Sequence, residues 1–354
     1  MSSMKLLLTG ASGYVGGTVL SRLRTSLATE LKQITISVLV RRPEHVEAYL
    51  AKDIQPVLFN DLEDIEFLRQ VAADYDYVIH TADSTNSMAV EALIQGLADR
   101  AKRTGRTADF FHLSGTSSLG DQPVTKRLCE GREFSDDEDV YGYMQYREGI
   151  NSYSQRVTDI KTIQIGVQVG VRTYIIKAPR IFGRGAGFFN QKSAHIPWLM
   201  SGALAAGQAE YIGDGAAVWD DVHVGDLADL FEMLLVKVLR AEGIPSGTQG
   251  IYFAAALRHS WMRLAENIAT AGVTLGYLAS SNLKQLSLQE AAQKYTRGDV
   301  LTAEVGLASN SRTIATRALK MGWRPKATEV DFQRSILEDF KLVYDLENVS
   351  VQGI

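Results

Sequence analysis

Short apolar runs recur through the first half of this chain, and they constrain its fold more than any other feature. Lys5–Thr9 (KLLLT), Ile34–Val40 (ITISVLV), Gln55–Phe59 (QPVLF), Asp76–His80 (DYVIH), Asp109–Leu113 (DFFHL) and Thr173–Lys177 (TYIIK) are too brief for helices and apolar on successive residues. A strand can carry apolar side chains on both faces only when both faces are covered, as in a parallel sheet flanked by helices. Polar-apolar segments of helical length separate the runs. The alternation predicts an α/β fold with a doubly wound parallel sheet. Gly250–Ala254 (GIYFA) reads as one more strand. Asp226–Leu239 places Leu227, Leu230, Phe231, Leu234, Leu235 and Val238 on one helical face. From His259 onward the chain reads as mostly helical, with helices expected over 260–271, 287–295 and 328–345. Segment 184–218 reads as loops around a short helix.

Composition removes several function classes. Thirty-seven Lys and Arg stand against 41 Asp and Glu, so a net charge of −4 gives no footprint for nucleic acid or an anionic membrane. The one cysteine, Cys129, allows neither an internal disulfide nor a cysteine zinc cluster, and points to a reducing, cytoplasmic setting. The first apolar run is too short for a signal peptide, and no stretch approaches the roughly 18 to 20 apolar residues of a spanning helix. No His/Cys/Asp/Glu cluster has metal-ligand spacing, so no metal is expected.

The first strand leads into Thr9-Gly10-Ala11-Ser12-Gly13-Tyr14-Val15-Gly16-Gly17. Gly10 permits a tight turn, Gly13 lets backbone approach a diphosphate, and Gly16 lets the next helix pack on the sheet. Gly10, Ser12, Gly13, Tyr14, Val15 and Gly16 then form a phosphate cradle at a helix N-terminus. This Gly-x-x-Gly-x-x-Gly turn resembles that of the extended and atypical short-chain dehydrogenase/reductases. Val78-Ile79-His80-Thr81-Ala82, Leu113-Ser114-Gly115-Thr116-Ser117, Ala178-Pro179-Arg180-Ile181-Phe182-Gly183, Asp221-Val222-His223-Val224-Gly225-Asp226 and Met321-Gly322-Trp323-Arg324-Pro325 resemble that superfamily's later segments, in its order. The resemblance spans residues 5 to about 340. It implies a Rossmann-type sheet over 1–182 and 219–256, with a smaller, mostly helical substrate lobe from 183–218 and 257–354. It also implies a nicotinamide dinucleotide, with Thr81, Ala82, Ser114, Pro179 and Ile181 beside it.

Strand two ends in Val40-Arg41-Arg42-Pro43, with no acid at its tip. An acid there would bond ribose hydroxyls, whereas Arg41 and Arg42 suit an added phosphate, so NADP(H) is expected over NAD(H). Asp61 and Leu62 resemble the superfamily's adenine contact, although Asp61 reads equally as a helix N-cap.

Catalysis in the superfamily uses a Ser/Thr, a Tyr, and a Lys four residues later whose charge favours the phenolate. Here the pattern breaks. Thr116 fits the Ser/Thr position, but Val157 stands four residues after Tyr153. Counted back from Pro179, the lysine position falls near Gln155 and the tyrosine position near Asn151. Tyr143 and Arg147 have the spacing but fall in a stretch that reads as irregular. Arg156 follows Tyr153 by three and supplies charge but no proton; with Asp159 it also reads as an i,i+3 ion pair. Arg-x-x-Asp on this helix resembles NmrA-like fungal members. Thr116 and Tyr153 are therefore the catalytic candidates, in an NADPH-dependent reductase of a carbonyl or imine on a small apolar metabolite. Two alternatives stand: cyclisation or isomerisation without net redox change, and a non-catalytic NADP(H)-sensing regulator. Partners are expected to be a small aromatic or apolar molecule, with no nucleic acid or membrane, in a monomer or homodimer. Phe188–Trp198 suits either a flat ligand or packing into the lobe. His223 and Trp323 read as structural, and Glu130–Arg147 as a charged flap or solvated loop.

Overall fold

The computed structural model describes residues 4–352. Along the chain, β1 (Met4–Thr9), α1 (Tyr14–Thr25), β2 (Ile34–Val40), α2 (Val46–Leu50), β3 (Gln55–Leu58), α3 (Ile65–Ala72), β4 (Tyr77–His80), α4 (Ser87–Thr104) and β5 (Asp109–Gly115) alternate. After β6 (Phe134–Ser135) come α5 (Val140–Ile150), α6 (Ser154–Val169), β7 (Arg172–Ala178), β8 (Arg180–Phe182), α7 (His195–Ala206), β9 (Ala209–Ile212), β10 (Val218–His223), α8 (Val224–Leu239) and β11 (Ile251–Phe253). The chain closes with β12 (Leu257–Ser260), α9 (Trp261–Thr274), β13 (Leu283–Leu286), α10 (Leu288–Tyr295), α11 (Val300–Leu307), β14 (Thr313–Ile314), α12 (Thr316–Lys320) and α13 (Glu329–Gln352).

Seven parallel strands form the central sheet in the order β11-β7-β5-β4-β1-β2-β3. Each of the expected runs is one of them. Leu6, Leu7 and Leu8 are fully buried on successive residues of β1, which is covered on both faces. From β1 the chain first builds outward through β2 and β3, then returns to β4 on the other side. The crevice opens beyond the carboxyl ends of β1 and β4, where that reversal occurs.

Two hydrophobic clusters cover the sheet's faces, and a third lies apart. The third gathers Phe182, Ile196, Met200, Trp219, Trp261, Ile268, Phe332 and Phe340. It is built on α7, α9, α10 and α13 with a three-stranded sheet, β12-β10-β8, and the pair β13-β9. Helix α10 starts with a complete capping box between Ser287 and Glu290. Segment 184–218 thus contains α7, all of β9 and the start of β10. Glu130–Arg147 is folded: β6 pairs with β14, and α5 starts at an Asp139 cap whose carboxylate accepts from Gly142 N at 2.9 Å. His223 caps α8 through Nδ1, and Trp323 is buried, donating Nε1–H to Asp226 O at 2.8 Å. Among the described residues, no helix is long and apolar enough to cross a membrane, and no cluster of His, Cys, Asp and Glu is arranged for a metal.

Candidate active site

The glycine turn brings two chain segments into contact. Gly10 has φ +74°, and a Cβ added there would lie 2.8 Å from Ala82 N and from the Thr81 carbonyl. Gly13 N donates to Gly10 O at 2.9 Å and closes the turn. Helix α1 then begins at Gly13 with no side-chain cap and no acid in its first turn. First-turn amides have no intrahelical acceptor, and Tyr14 and Val15 line a cavity of about 1030 Å3. An uncapped helix end facing a cavity fits a diphosphate.

The opposite rim is held by β4. Thr81 Oγ1 donates to Thr9 O at 2.7 Å, while Thr9 Oγ1 bonds His80 Nδ1 at 2.8 Å. His80 Nε2 lies 2.9 Å from Asp83 O. A carbonyl only accepts, so Nε2 carries the proton and Nδ1 accepts from Thr9. Burial lowers the His80 pKa to about 4, so the ring is neutral and fixes the 81–84 rim without adding charge.

Mid-cavity, Tyr153 Oη lies 3.2 Å from Ser117 Oγ, and the Gln155 amide lies 2.8 Å from both Ser117 Oγ and Ser84 Oγ. With the Gln155 nitrogen toward Ser117 and Gly115 O, and its oxygen toward Ser84 and Gly115 N, both ends of the amide have complementary partners. Ser117 then accepts from both Gln155 and Tyr153, and its own proton remains for a ligand. Burial raises the Tyr153 pKa above its ordinary value, against smaller opposing effects of Ser117 and the Arg156 guanidinium. At neutral pH the phenol is therefore protonated.

Thr116 does not take the place expected of it. It is fully buried, its Oγ1 has no partner, and it is not on the cavity wall. Residues 116–119 form a 3-10 turn directly after β5. The alternation of a strand ends there, and the threefold turn puts Ser117 on the wall. Arg156 and Asp159 are not an ion pair either. Arg156 bonds Glu148 at 3.0 Å, Ser118 O at 2.7 Å and Asn151 O at 2.6 Å. Asp159 instead meets Lys177, and accepts from Ser114 Oγ at 2.8 Å. Lys177 also donates to Ser118 Oγ at 2.7 Å. Tyr143 and Arg147 lie on α5, joined by a 2.8 Å hydrogen bond, away from the cavity wall.

Of the remaining candidates, Tyr14, Val15, Thr81, Ala82, Ser114, Tyr153, Pro179 and Ile181 share the cavity wall. Gly10, Ser12, Gly13 and Gly16 form the turn beneath it, with Ser12 O accepting from Asn190 N at 3.2 Å. Arg41 and Arg42 are exposed at the tip of β2. Asp61 caps only its own turn, accepting from Glu63 N at 2.6 Å, and the N-cap of α3 is Asp64. Leu62 packs into a core cluster, and neither residue reaches the cavity. Phe188 and Phe189 turn away from it, packing on Tyr49 and on His45, whose ring centre is 3.7 Å from that of Phe189. Pro197, Trp198, Trp219 and Leu307 supply the apolar end instead. Sequence reasoning missed Ser117 as a wall residue and Lys177 as a buried cation. The one signal for Lys177 was a charge closing an otherwise apolar strand run.

Known proteins share this fold. The sequence model described as the NAD dependent epimerase/dehydratase family matches residues 6–244. The oxidase ucsJ of an Acremonium species is 26% identical over 301 residues, covering 81% of this chain and 84% of that protein. An uncharacterized protein of Saccharomyces cerevisiae is also 26% identical, covering 97% of this chain and 100% of its own. In fold, the chain is similar to the dTDP-glucose 4,6-dehydratase of Streptomyces venezuelae, solved with NAD bound (TM-score 0.65, 16% identity, 96% and 97% of the two chains). The UDP-glucose 4-epimerase of Thermus thermophilus, also solved with NAD, gives a TM-score of 0.61 at 17% identity over 96% and 99%. The glycine turn, the strand order and the family match agree: this chain belongs to the NAD dependent epimerase/dehydratase family.

Proposed function

We propose that this protein is an NADP(H)-dependent reductase acting on a carbonyl or imine of a small, flat, apolar molecule. The observation that carries the reading is the single cavity joining the uncapped end of α1, the Ser117–Tyr153 pair and the aromatic lobe end around Trp198 and Trp219. The α1 amides at Tyr14 and Val15 would hold the diphosphate, and the exposed Arg41 and Arg42 an added ribose phosphate. The dinucleotide supplies hydride when bound. Ser117 donates its hydroxyl proton to the oxygen or nitrogen that becomes basic during reduction, and Tyr153 O–H refills Ser117. A phenol held above its usual pKa is a weaker acid than free tyrosine but still donates to an alkoxide, a far stronger base, and at neutral pH it offers almost no phenolate to act as a base. Reduction calls on the donor and alcohol oxidation on the base, so the resting protonation state suits reduction. An open cavity beside the rim also favours an enzyme over a sensor.

The test is NADPH and NADH consumption by the full-length protein with a panel of aromatic and aliphatic aldehydes, ketones and cyclic imines. The expected result is NADPH-dependent turnover of at least one aromatic member, with NADH poorer by tenfold or more. Equal or better use of NADH would refute the cofactor preference. Ligand binding without NADPH consumption would replace the redox reading with an isomerisation or cyclisation.

A further inference from the structure

Gln155, in the first turn of α6, lines the cavity together with Ser84, Gly115, Ser117 and Tyr153. Its amide is pinned by the two main-chain groups of a single residue. With its nitrogen toward Ser117, the amide donates to Gly115 O at 3.2 Å and accepts from Gly115 N at 3.2 Å, and its oxygen lies 2.8 Å from Ser84 Oγ. A backbone N–H only donates and a backbone carbonyl only accepts. Turned the other way, the amide would set donor against donor and acceptor against acceptor, and polar groups mispaired out of water are costly. The hydroxyls of Ser84 and Ser117 can adapt to either orientation, so the Gly115 main chain decides between them.

This contact also gives a reason for glycine at 115. The backbone there is extended, at φ −124° and ψ 151°, a conformation open to any residue. A Cβ, however, would lie 2.9 and 3.0 Å from the two terminal atoms of the Gln155 amide. A side chain at 115 would push the amide off the groups that orient it.

The consequence falls on Ser117. Its Oγ is 2.8 Å from the Gln155 nitrogen and 3.2 Å from Tyr153 Oη. Ser117 and Tyr153 each carry one hydroxyl proton, and one of these joins the two oxygens. The Gln155 N–H fills a lone pair on Ser117 and takes neither proton. The other proton is therefore left for whatever enters the cavity. With an acceptor in place of that nitrogen, Ser117 would donate to it and Tyr153 to Ser117, and the pair would offer the ligand only lone pairs.

We infer that Gln155 is a positioning residue: held by the Gly115 main chain, it sets the Ser117–Tyr153 pair to present a proton to the ligand. The inference rests on the reductase reading of the same cavity and specifies it, since the group facing the pair must be a hydrogen-bond acceptor such as a carbonyl oxygen or an imine nitrogen.

The test compares the full-length protein with Gln155→Glu, whose carboxylate keeps the shape but only accepts, and with Gln155→Met, which neither donates nor accepts strongly. Assays at about pH 8.5 keep the introduced carboxylate ionised. The probes are 2-naphthaldehyde and 2-vinylnaphthalene, which has the same outline with CH2 in place of the oxygen. Their dissociation constants, read from tryptophan fluorescence with NADP+ present, give one ratio for each protein, and a general loss of affinity does not change a ratio. Relative to wild type, the ratio is expected to shift against the aldehyde by about tenfold in Gln155→Glu and by less than about threefold in Gln155→Met. For NADPH-dependent reduction of 2-naphthaldehyde, kcat is expected to fall about 10²-fold in Gln155→Glu and less than about tenfold in Gln155→Met. In a Ser117→Ala background, Gln155→Glu should move either quantity by no more than about twofold, because its effect passes through the serine. Equal losses in Gln155→Glu and Gln155→Met, an unshifted ratio in Gln155→Glu, or a Gln155→Glu loss that persists in full without Ser117 would each overturn the inference while leaving the reductase reading intact. Failure of the wild-type protein to bind or reduce 2-naphthaldehyde would count against the reductase reading, and the inference falls with it.

Discussion

Replacing Gly10 by alanine separates two reasons for a glycine at that position. Gly10 and Gly105 share a left-handed backbone, at φ +74° and +69°. A Cβ at Gly105 meets nothing within 4 Å, whereas one at Gly10 lies 2.8 Å from Ala82 N, Thr81 C and Thr81 O. Gly105→Ala therefore carries only the backbone penalty, about 1 to 2 kcal/mol. Gly10→Ala carries the same penalty and must also push apart two main-chain segments, which have no rotamer to escape into; overpacking of this kind adds about 1 to 3 kcal/mol. Urea denaturation should show Gly10→Ala less stable than Gly105→Ala by that added amount. The displaced 81–82 rim should also weaken NADPH binding at least tenfold, with Gly105→Ala unchanged. Equal destabilisation of the two variants, together with normal NADPH binding by Gly10→Ala, would refute the argument that this turn is set by close approach to β4.

Tyr153→Phe should lower kcat by about 10²-fold or more, with the NADPH dissociation constant unchanged, and Ser117→Ala should do at least as much; Thr116→Ala should leave kcat within about threefold, since its hydroxyl is off the wall. Converting both Arg41 and Arg42 to alanine should raise the dissociation constant for NADPH by about 10- to 100-fold, leave that for NADH unchanged, and remove most of its salt dependence. Burial pushes the Asp339 carboxyl up to about 6. The fold thus favours its neutral form, and this stabilisation is present below the unfolded value near 4 and lost as pH rises through about 6; Asp339→Asn should flatten that part of the stability profile. His80 and His195, held near 4, have the opposite slope: their contribution is present above about 6.5 and lost as pH falls toward 4, which histidine ring NMR can follow residue by residue.

The central sheet was legible because its strands are apolar on successive residues, as in Leu6–Leu8. The same criterion hides the sheet β12-β10-β8. Its inward side chains include Arg180 on β8, Asp221 on β10 and His259 on β12, which satisfy one another instead of packing as hydrocarbons. Polar residues such as Arg180 and Asp221, in register across β8 and β10, look like a loop until the partner strand is known. Helix α5 was obscured for a related reason. Its Arg147 is buried and donates to Leu119 O and Gly120 O at 3.4 and 2.8 Å, which no local pattern reveals. The glycine turn was readable since its geometry is local. The Thr116–Ser117 exchange was not, because one 3-10 turn after a strand shifts which side chain faces the cleft.

The missing lysine fits the proposed reduction. A cation beside a tyrosine helps catalysis by favouring phenolate, the form that removes a proton. Here Arg156 sits 5.9 Å from the centre of the Tyr153 ring, but its charge is shared with Glu148 and two carbonyls, and burial of the phenol outweighs it. Lys177 is close in the fold, yet it is spent on Asp159. Burial pushes the Lys177 pKa down and that of Asp159 up, so the pair carries no net charge whether ionised or neutral. Its effect on the cavity is to hold the Ser114 hydroxyl, which donates to Asp159. Each nearby cation is thus matched before it can act on Tyr153. A site so arranged keeps its proton at rest and releases it only to a stronger base than phenolate, such as the alkoxide or amide anion formed when hydride reaches a carbonyl or imine.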